Sequence, residues 1–168
     1  MGGFRKNGST RILRIRIKMK SKDEIQQECL TELLKYDKAG AALSMGIGKT
    51  LLCLKHMNSN YTEHCRFLVV APSISILNTW IDEAINHKME HLIPHIERTT
   101  YISLNKRDFD FDVVYFDEAH SLKESHLEWL SNFKGKVVGV TGTPPSPRNS
   151  KRMDIMNRYY PIKYKYLV

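Results

Sequence analysis

Three short runs, at 67–71, 112–116 and 137–141, are apolar almost without interruption, and nothing else narrows the available folds as much. A strand with one wet face alternates between apolar and polar residues. A strand covered on both faces, as in a parallel sheet, does not. Helical patterns lie between these runs. Residues 23–35 carry an apolar stripe of Ile25, Cys29, Leu30, Leu33 and Leu34, with Ser21 or Asp23 as cap. Residues 74–89 repeat Ile74, Leu77, Ile81 and Ile85 at helical spacing. Further helices are expected from the glycine turn at 46–50 to about Met57, at 123–133 and at 149–159, with strands at 39–44 and near 99–102. This alternation predicts an α/β fold: a parallel sheet with helices on both faces, in one domain.

Composition agrees with a globular chain, at 42% hydrophobic and 26% charged residues. No apolar stretch approaches the roughly 20 residues of a membrane span, and the N-terminus lacks the apolar core of a secretory signal. A cytoplasmic address is expected, or a nuclear one in a eukaryote, with no membrane partner. Cys29, Cys53 and Cys65 have no CxxC spacing and read as reduced thiols. Eight basic residues and no acid fall within residues 1–22, a surplus equal to the whole net charge of +8. Within that segment, residues 14–20 alternate basic and apolar side chains, which predicts an edge strand. The chain thus divides into a basic arm and edge strand at 1–22 and a folded domain at 23–168. Such an arm suits a polyanion, nucleic acid before acidic membrane, or else is a solvated tail.

Two segments carry chemistry. Ser44-Met45-Gly46-Ile47-Gly48-Lys49-Thr50 lies between a buried strand and a helix. Small residues there let backbone N–H groups approach phosphates at a helix N-terminus. Lys49 can reach the β- and γ-phosphates, and the Thr50 hydroxyl can ligate Mg²⁺. Met45, Ile47 and Leu51 complete the nucleotide-binding stretch. The full pattern GxxxxGK[ST] is not met, since Leu43 stands at its first glycine.

The second segment is Val113-Val114-Tyr115-Phe116-Asp117-Glu118-Ala119-His120. Two carboxylates follow four apolar residues, at the strand end where open α/β sheets bind ligands. Asp117 can hold the Mg²⁺ shell, and Glu118 can orient and deprotonate an attacking water.

Together, Gly46-Ile47-Gly48-Lys49-Thr50 and Asp117-Glu118-Ala119-His120 resemble superfamily two helicases. Four other stretches agree in order and spacing. Residues 25–30 look like the upstream glutamine motif, whose Gln contacts adenine in the family; Gln26 matches best and Gln27 second. Residues 68–73, with Leu77 and Trp80, look like the motif after the second strand. Residues 99–104 are similar to the strand that precedes the acidic box. Thr141-Gly142-Thr143-Pro144 looks like the motif that couples ATP state to nucleic-acid grip. Met45–Thr50, Thr141–Pro145 and Asp117–Lys123 lean toward the Swi/Snf-like branch, with one departure: Leu43-Ser44 replaces the acidic pair that branch places before the Met.

The resemblance covers residues 23–160 and implies a RecA-like P-loop NTPase domain using ATP and Mg²⁺. It implies coupling roles for His120, Thr141 and Thr143. It places Pro72, Ser73, Thr99 and Thr100 near a nucleic-acid backbone, DNA favoured over RNA. It also implies a partner, a second RecA-like domain in cis or in trans, which supplies an arginine finger that these 168 residues do not match. The function expected is ATP-driven translocation or strand separation, the alternative a nucleotide- or DNA-binding module with negligible ATPase activity alone. A P-loop kinase or GTPase fits poorly beside the Asp117-Glu118-Ala119-His120 sequence.

Other residues read as structural. His87, His91 and His95 have helical spacing, but Pro94 interrupts them and no acid or cysteine cluster completes a metal shell. Trp80 and Trp129 suit core or interdomain packing. Tyr159, Tyr160, Tyr164 and Tyr166, interleaved with Lys163 and Lys165, suit a junction to a neighbouring domain more than base stacking.

Overall fold

The computed structural model describes residues 20–168. The basic arm, and the edge strand expected at 14–20, lie outside the described residues except for Lys20. In chain order the elements are α1 (Lys22–Leu33), β1 (Lys38–Leu43), α2 (Lys49–Ser59), β2 (Phe67–Ala71), α3 (Ile74–Asn86), β3 (Ile96–Thr100), β4 (Val113–Asp117), α4 (Leu127–Asn132), β5 (Lys136–Thr141), α5 (Ser150–Tyr159) and β6 (Ile162–Tyr166).

The six strands form one sheet in the order β3-β2-β4-β5-β1-β6, and every pairing is parallel. The apolar runs become β2, β4 and β5, all inside the sheet, which explains why they do not alternate. Each strand feeds two cores. Val69, Val113, Tyr115, Val138 and Val140 face one layer with α1, α2 and α3. Val70, Val114, Phe116 and Val137 face the other with α4 and α5.

Local chemistry sets the helix starts. Ser21, not Asp23, caps α1: its hydroxyl accepts from the Glu24 amide at 3.1 Å. Ser73 caps α3 through the Ile76 amide at 3.3 Å. Helix α3 ends at Asn86, short of the expected 89, because Lys88 takes a positive φ of 58°. A 3₁₀ turn over Glu90–His95 contains Pro94. His91 there binds Asn58 Oδ1 at 2.7 Å, and His95 binds the Cys65 carbonyl at 2.9 Å.

Three expectations shift. The strand placed near 99–102 is Ile96–Thr100, and the Tyr-Ile-Ser-Leu stretch that follows is a 3₁₀ turn, Tyr101–Lys106. The helix at 123–133 splits into a 3₁₀ turn, Glu124–His126, and the short α4. The aromatic C-terminal stretch is not a junction throughout, since Ile162–Tyr166 pairs with β1 as the sixth strand. Tyr164 anchors this strand to α1 by donating to Glu28 Oε2 at 2.8 Å. No helix among the described residues is long and apolar enough to cross a membrane.

Candidate nucleotide site

Strands β1, β5 and β4 lie side by side and end level: Ala42 is in register with Thr141, and Val140 with Asp117. At the usual strand spacing, β1 and β4 are about 10 Å apart. The loops that leave these three ends therefore converge on one edge. Side-chain alternation then sorts the residues. Asp117 continues the parity of Val113 and Tyr115 and points to the layer holding α2 and α3. Thr141 continues the parity of Val137 and points to the opposite layer.

The turn from β1 to α2 needs its glycines. Gly46 has φ 90° and Gly48 has φ 85°, both in the region L side chains avoid. A Cβ on Gly48 would also come 2.6 Å from Gln26 Nε2. That contact is part of a clamp. Gln26 is buried and donates to the Ile47 carbonyl at 2.7 Å and, more weakly, to the Gly48 carbonyl at 3.4 Å. Its carbonyl oxygen accepts from Lys55 Nζ at 2.9 Å. Gln27 is exposed and reaches only Thr31, so Gln26 is the glutamine at the loop. Met45 stands almost fully exposed at the rim, whereas Ile47 is buried. Thr50 and Leu51, in the first turn of α2, are half-buried.

Lys49 Nζ rests 3.5 Å from the Leu43 carbonyl. A Cβ on Gly142 would approach this amine to 3.4 Å and the same carbonyl to 3.3 Å. The glycine after Thr141 thus keeps room for the lysine.

Asp117 is buried at the end of β4. Its Oδ2 accepts from the Trp80 indole at 2.9 Å, and its carbonyl accepts from the Tyr101 hydroxyl at 2.6 Å. Burial raises the pKa of the Asp117 carboxyl, as does the neighbouring Glu118; the Trp80 hydrogen bond and the Lys49 charge pull it back. The residue that follows, Glu118, has φ 54° and ψ 53°, a left-handed conformation rare outside glycine. This turn throws its carboxylate away from Asp117 and toward His120, whose Nδ1 lies 3.5 Å from Glu118 Oε2.

His120 joins the acidic strand end to the end of β5. Its Nδ1 lies 2.8 Å from Thr141 Oγ1 and 3.2 Å from Thr143 Oγ1. Thr141 Oγ1 also accepts from the Thr143 amide at 3.0 Å. Arg152 holds the far side, donating to the His120 carbonyl at 3.1 Å.

The four residues expected along a polymer backbone divide. Pro72 is exposed, and Ser73 and Thr100 are half-buried at the same sheet edge. Thr99 is only 4% exposed, and its hydroxyl turns to the Thr100 carbonyl. It lies inside the sheet layer rather than on the surface.

Known proteins resemble this chain in part. Residues 19–98 match the family model described as type III restriction enzyme, res subunit. No curated protein matches the chain. Among solved structures, the Sulfolobus solfataricus SWI2/SNF2 ATPase core in complex with dsDNA superposes with TM-score 0.61 at 22% identity, over 79% of this chain and 33% of that one. The UvsW helicase of bacteriophage T4 gives 0.69 at 14% identity, over 86% and 59%. The Pyrococcus furiosus Hef helicase domain gives 0.63 at 19% identity, over 83% and 36%. The likeness to these structures is one of fold, a parallel α/β sheet with helices on both faces. This chain spans less than two thirds of each of those three chains.

Lys55, Trp80, Tyr101, Gly142 and Arg152 touch the site residues without having been singled out as site residues. Trp80 and Tyr101 sit within helicase-like stretches, but nothing in their spacing signals that both end on Asp117. Lys55 lies two turns from Lys49 on α2, and only the three-dimensional clamp on Gln26 reveals it.

Proposed function

We propose that this chain is the ATP-binding half of a nucleic-acid-dependent motor. The glycine turn and the N-terminus of α2 hold the triphosphate. Lys49 neutralises the β- and γ-phosphates. Asp117 and the Thr50 hydroxyl would hold Mg²⁺, a cation that takes one or two protein oxygens and fills its shell with phosphate and water. A single buried carboxylate on the α2 side of the sheet fits that demand. When bound, Mg²⁺ would supply charge stabilisation for the transferred phosphoryl group. Glu118, turned away from Asp117, accepts the proton of the attacking water.

The observation that carries this reading is the divergence of two adjacent acids. Asp117 is buried toward Trp80, while Glu118 is swung by a left-handed turn toward His120, Thr141 and Thr143. One acid serves the cation and the other serves the water and its link to the coupling residues. Pro72, Ser73 and Thr100 lie where a polymer backbone would cross the sheet edge, with Thr99 supporting them from below. DNA is the favoured polymer, in line with the dsDNA-bound SWI2/SNF2 core. Contacts to phosphates give low sequence specificity and a strong salt dependence. A second RecA-like domain, in cis or in trans, completes the site with an arginine finger, a group worth about 10³–10⁵ in rate.

The test is ATP hydrolysis with and without DNA or RNA, in the chain alone and with the second domain supplied. The chain alone turns over slowly, and the complete motor is stimulated by DNA. Glu118→Gln abolishes turnover and leaves ATP binding intact. A loss of binding in Glu118→Gln assigns that residue a structural role. ATP binding with no turnover under any condition makes the chain a nucleotide-binding module.

A further inference from the structure

We infer that Trp80 is a positioning residue for the cation: its indole N–H fixes the Asp117 carboxylate, so that Mg²⁺-dependent nucleotide binding relies on a hydrogen bond from α3. The inference rests on the reading of Asp117 as a Mg²⁺-holding group. Trp80 is completely buried and lies two turns into a helix capped by Ser73. Packing alone explains the ring, which sits 6.1 Å from that of Tyr115. It does not explain where the N–H goes. The indole is a donor with no acceptor capacity, and this one is spent on Asp117 Oδ2 at 2.9 Å.

That bond has consequences at the carboxylate. Rotation of an aspartate about χ2 is soft, so a metal-facing oxygen needs an external restraint. A rigid indole locked in the core supplies it. The Tyr101 hydroxyl, on the Asp117 carbonyl at 2.6 Å, holds the main chain at the same residue. Side chain and backbone of Asp117 are thus pinned from two elements, α3 and the turn after β3. Groups that orient a metal ligand in this way are typically worth about 10–100-fold in metal affinity.

The chain holds two tryptophans, so Trp129→Phe leaves Trp80 as the sole indole emitter. In that background, binding of a fluorescent ATP analogue is followed by anisotropy while MgCl₂ is titrated, with Trp80 emission recorded in parallel. Trp80→Phe keeps a ring and removes the N–H. It is expected to raise the Mg²⁺ midpoint for nucleotide binding about ten-fold, with Mg²⁺-free nucleotide affinity unchanged. An unchanged midpoint in folded Trp80→Phe overturns the inference. Should that variant fail to fold, the emission of Trp80 in the Trp129→Phe chain decides: a change at the midpoint of nucleotide binding supports the bond, and emission indifferent to Mg²⁺ overturns it. A parent chain whose nucleotide binding ignores Mg²⁺ overturns the role given to Asp117, and this inference with it.

Discussion

Gln26 donates to the Ile47 carbonyl at 2.7 Å while its own carbonyl accepts from Lys55 at 2.9 Å. Donor and acceptor ends are both engaged within the protein, so the side chain braces the glycine loop. A brace predicts a loss that ignores the base. Gln26→Ala should weaken ATP and GTP binding alike, by about ten-fold, the scale of one buried carbonyl left without its donor. Competition binding with the two nucleotides checks this. A loss confined to ATP would instead assign Gln26 to adenine.

The same clamp makes Gly48 less replaceable than Gly46. Both have positive φ, but only at Gly48 would a Cβ meet an atom closer than van der Waals contact, Gln26 Nε2 at 2.6 Å. A left-handed alanine costs about 1–2 kcal/mol. Gly48→Ala adds displacement of the Gln26 amide to that cost. It is expected to lower thermal stability and nucleotide affinity more than Gly46→Ala, as read by melting curves and anisotropy on the two variants.

Thr141 and His120 give a separable phenotype. The Thr141 hydroxyl bonds His120 Nδ1 and accepts from the Thr143 amide, on the opposite side of the sheet from Asp117. Thr141→Val preserves shape and breaks both bonds. Nucleotide binding should be retained, because Thr141 points to the layer opposite Asp117, while the proposed stimulation of turnover by DNA is lost. Equal loss of basal and stimulated hydrolysis would contradict a coupling role.

Much of the layout was legible in the sequence because it is written in nearest-neighbour terms. The buried strands 67–71, 112–116 and 137–141 announced themselves by lack of alternation, and the carboxylates fell at a strand end where parallel sheets bind ligands. Long-range contacts were not legible. Trp80 is 37 residues from Asp117, and no periodicity records that their side chains meet. Strand β6 was hidden for another reason. Its Lys163 and Lys165 alternate with Tyr164 and Tyr166 on a half-buried sheet edge, so its composition resembles an exposed linker. The shift of β3 to Ile96–Thr100 has a local cause, since Tyr101 leaves the strand to place its hydroxyl on the Asp117 carbonyl.

Glu118 stores backbone strain. Its φ of 54° is imposed at a residue with a full side chain, and such residues persist at functional sites because the role requires them. Glycine removes the strain. Glu118→Gly should raise unfolding free energy by about 1 kcal/mol and eliminate hydrolysis. Denaturant unfolding paired with an ATPase assay reads both. A destabilised Glu118→Gly would mean that the contact with His120 outweighs the strain.

His56 makes stability depend on pH in a predictable direction. It is buried on α2, with Nδ1 2.8 Å from the Tyr115 hydroxyl. Asn60 and Lys136 lie on the same network, Asn60 donating to the His56 carbonyl and accepting from Lys136. Burial, and secondarily the Lys136 charge, lowers the imidazole from its ordinary 6.5 to about 4. The unfolded chain therefore takes up a proton at His56 near pH 6.5 that the folded chain refuses until about pH 4. Stability from this group is complete above pH 6.5, falls as pH drops through that interval, and is lost by pH 4. With about 1.4 kcal/mol per pH unit, on the order of 3 kcal/mol is at stake. His56→Gln keeps an acceptor for Tyr115 and cannot titrate. Between pH 7 and 4.5 its melting temperature should fall less than that of the parent, and parallel curves for the two proteins would place the acid sensitivity elsewhere.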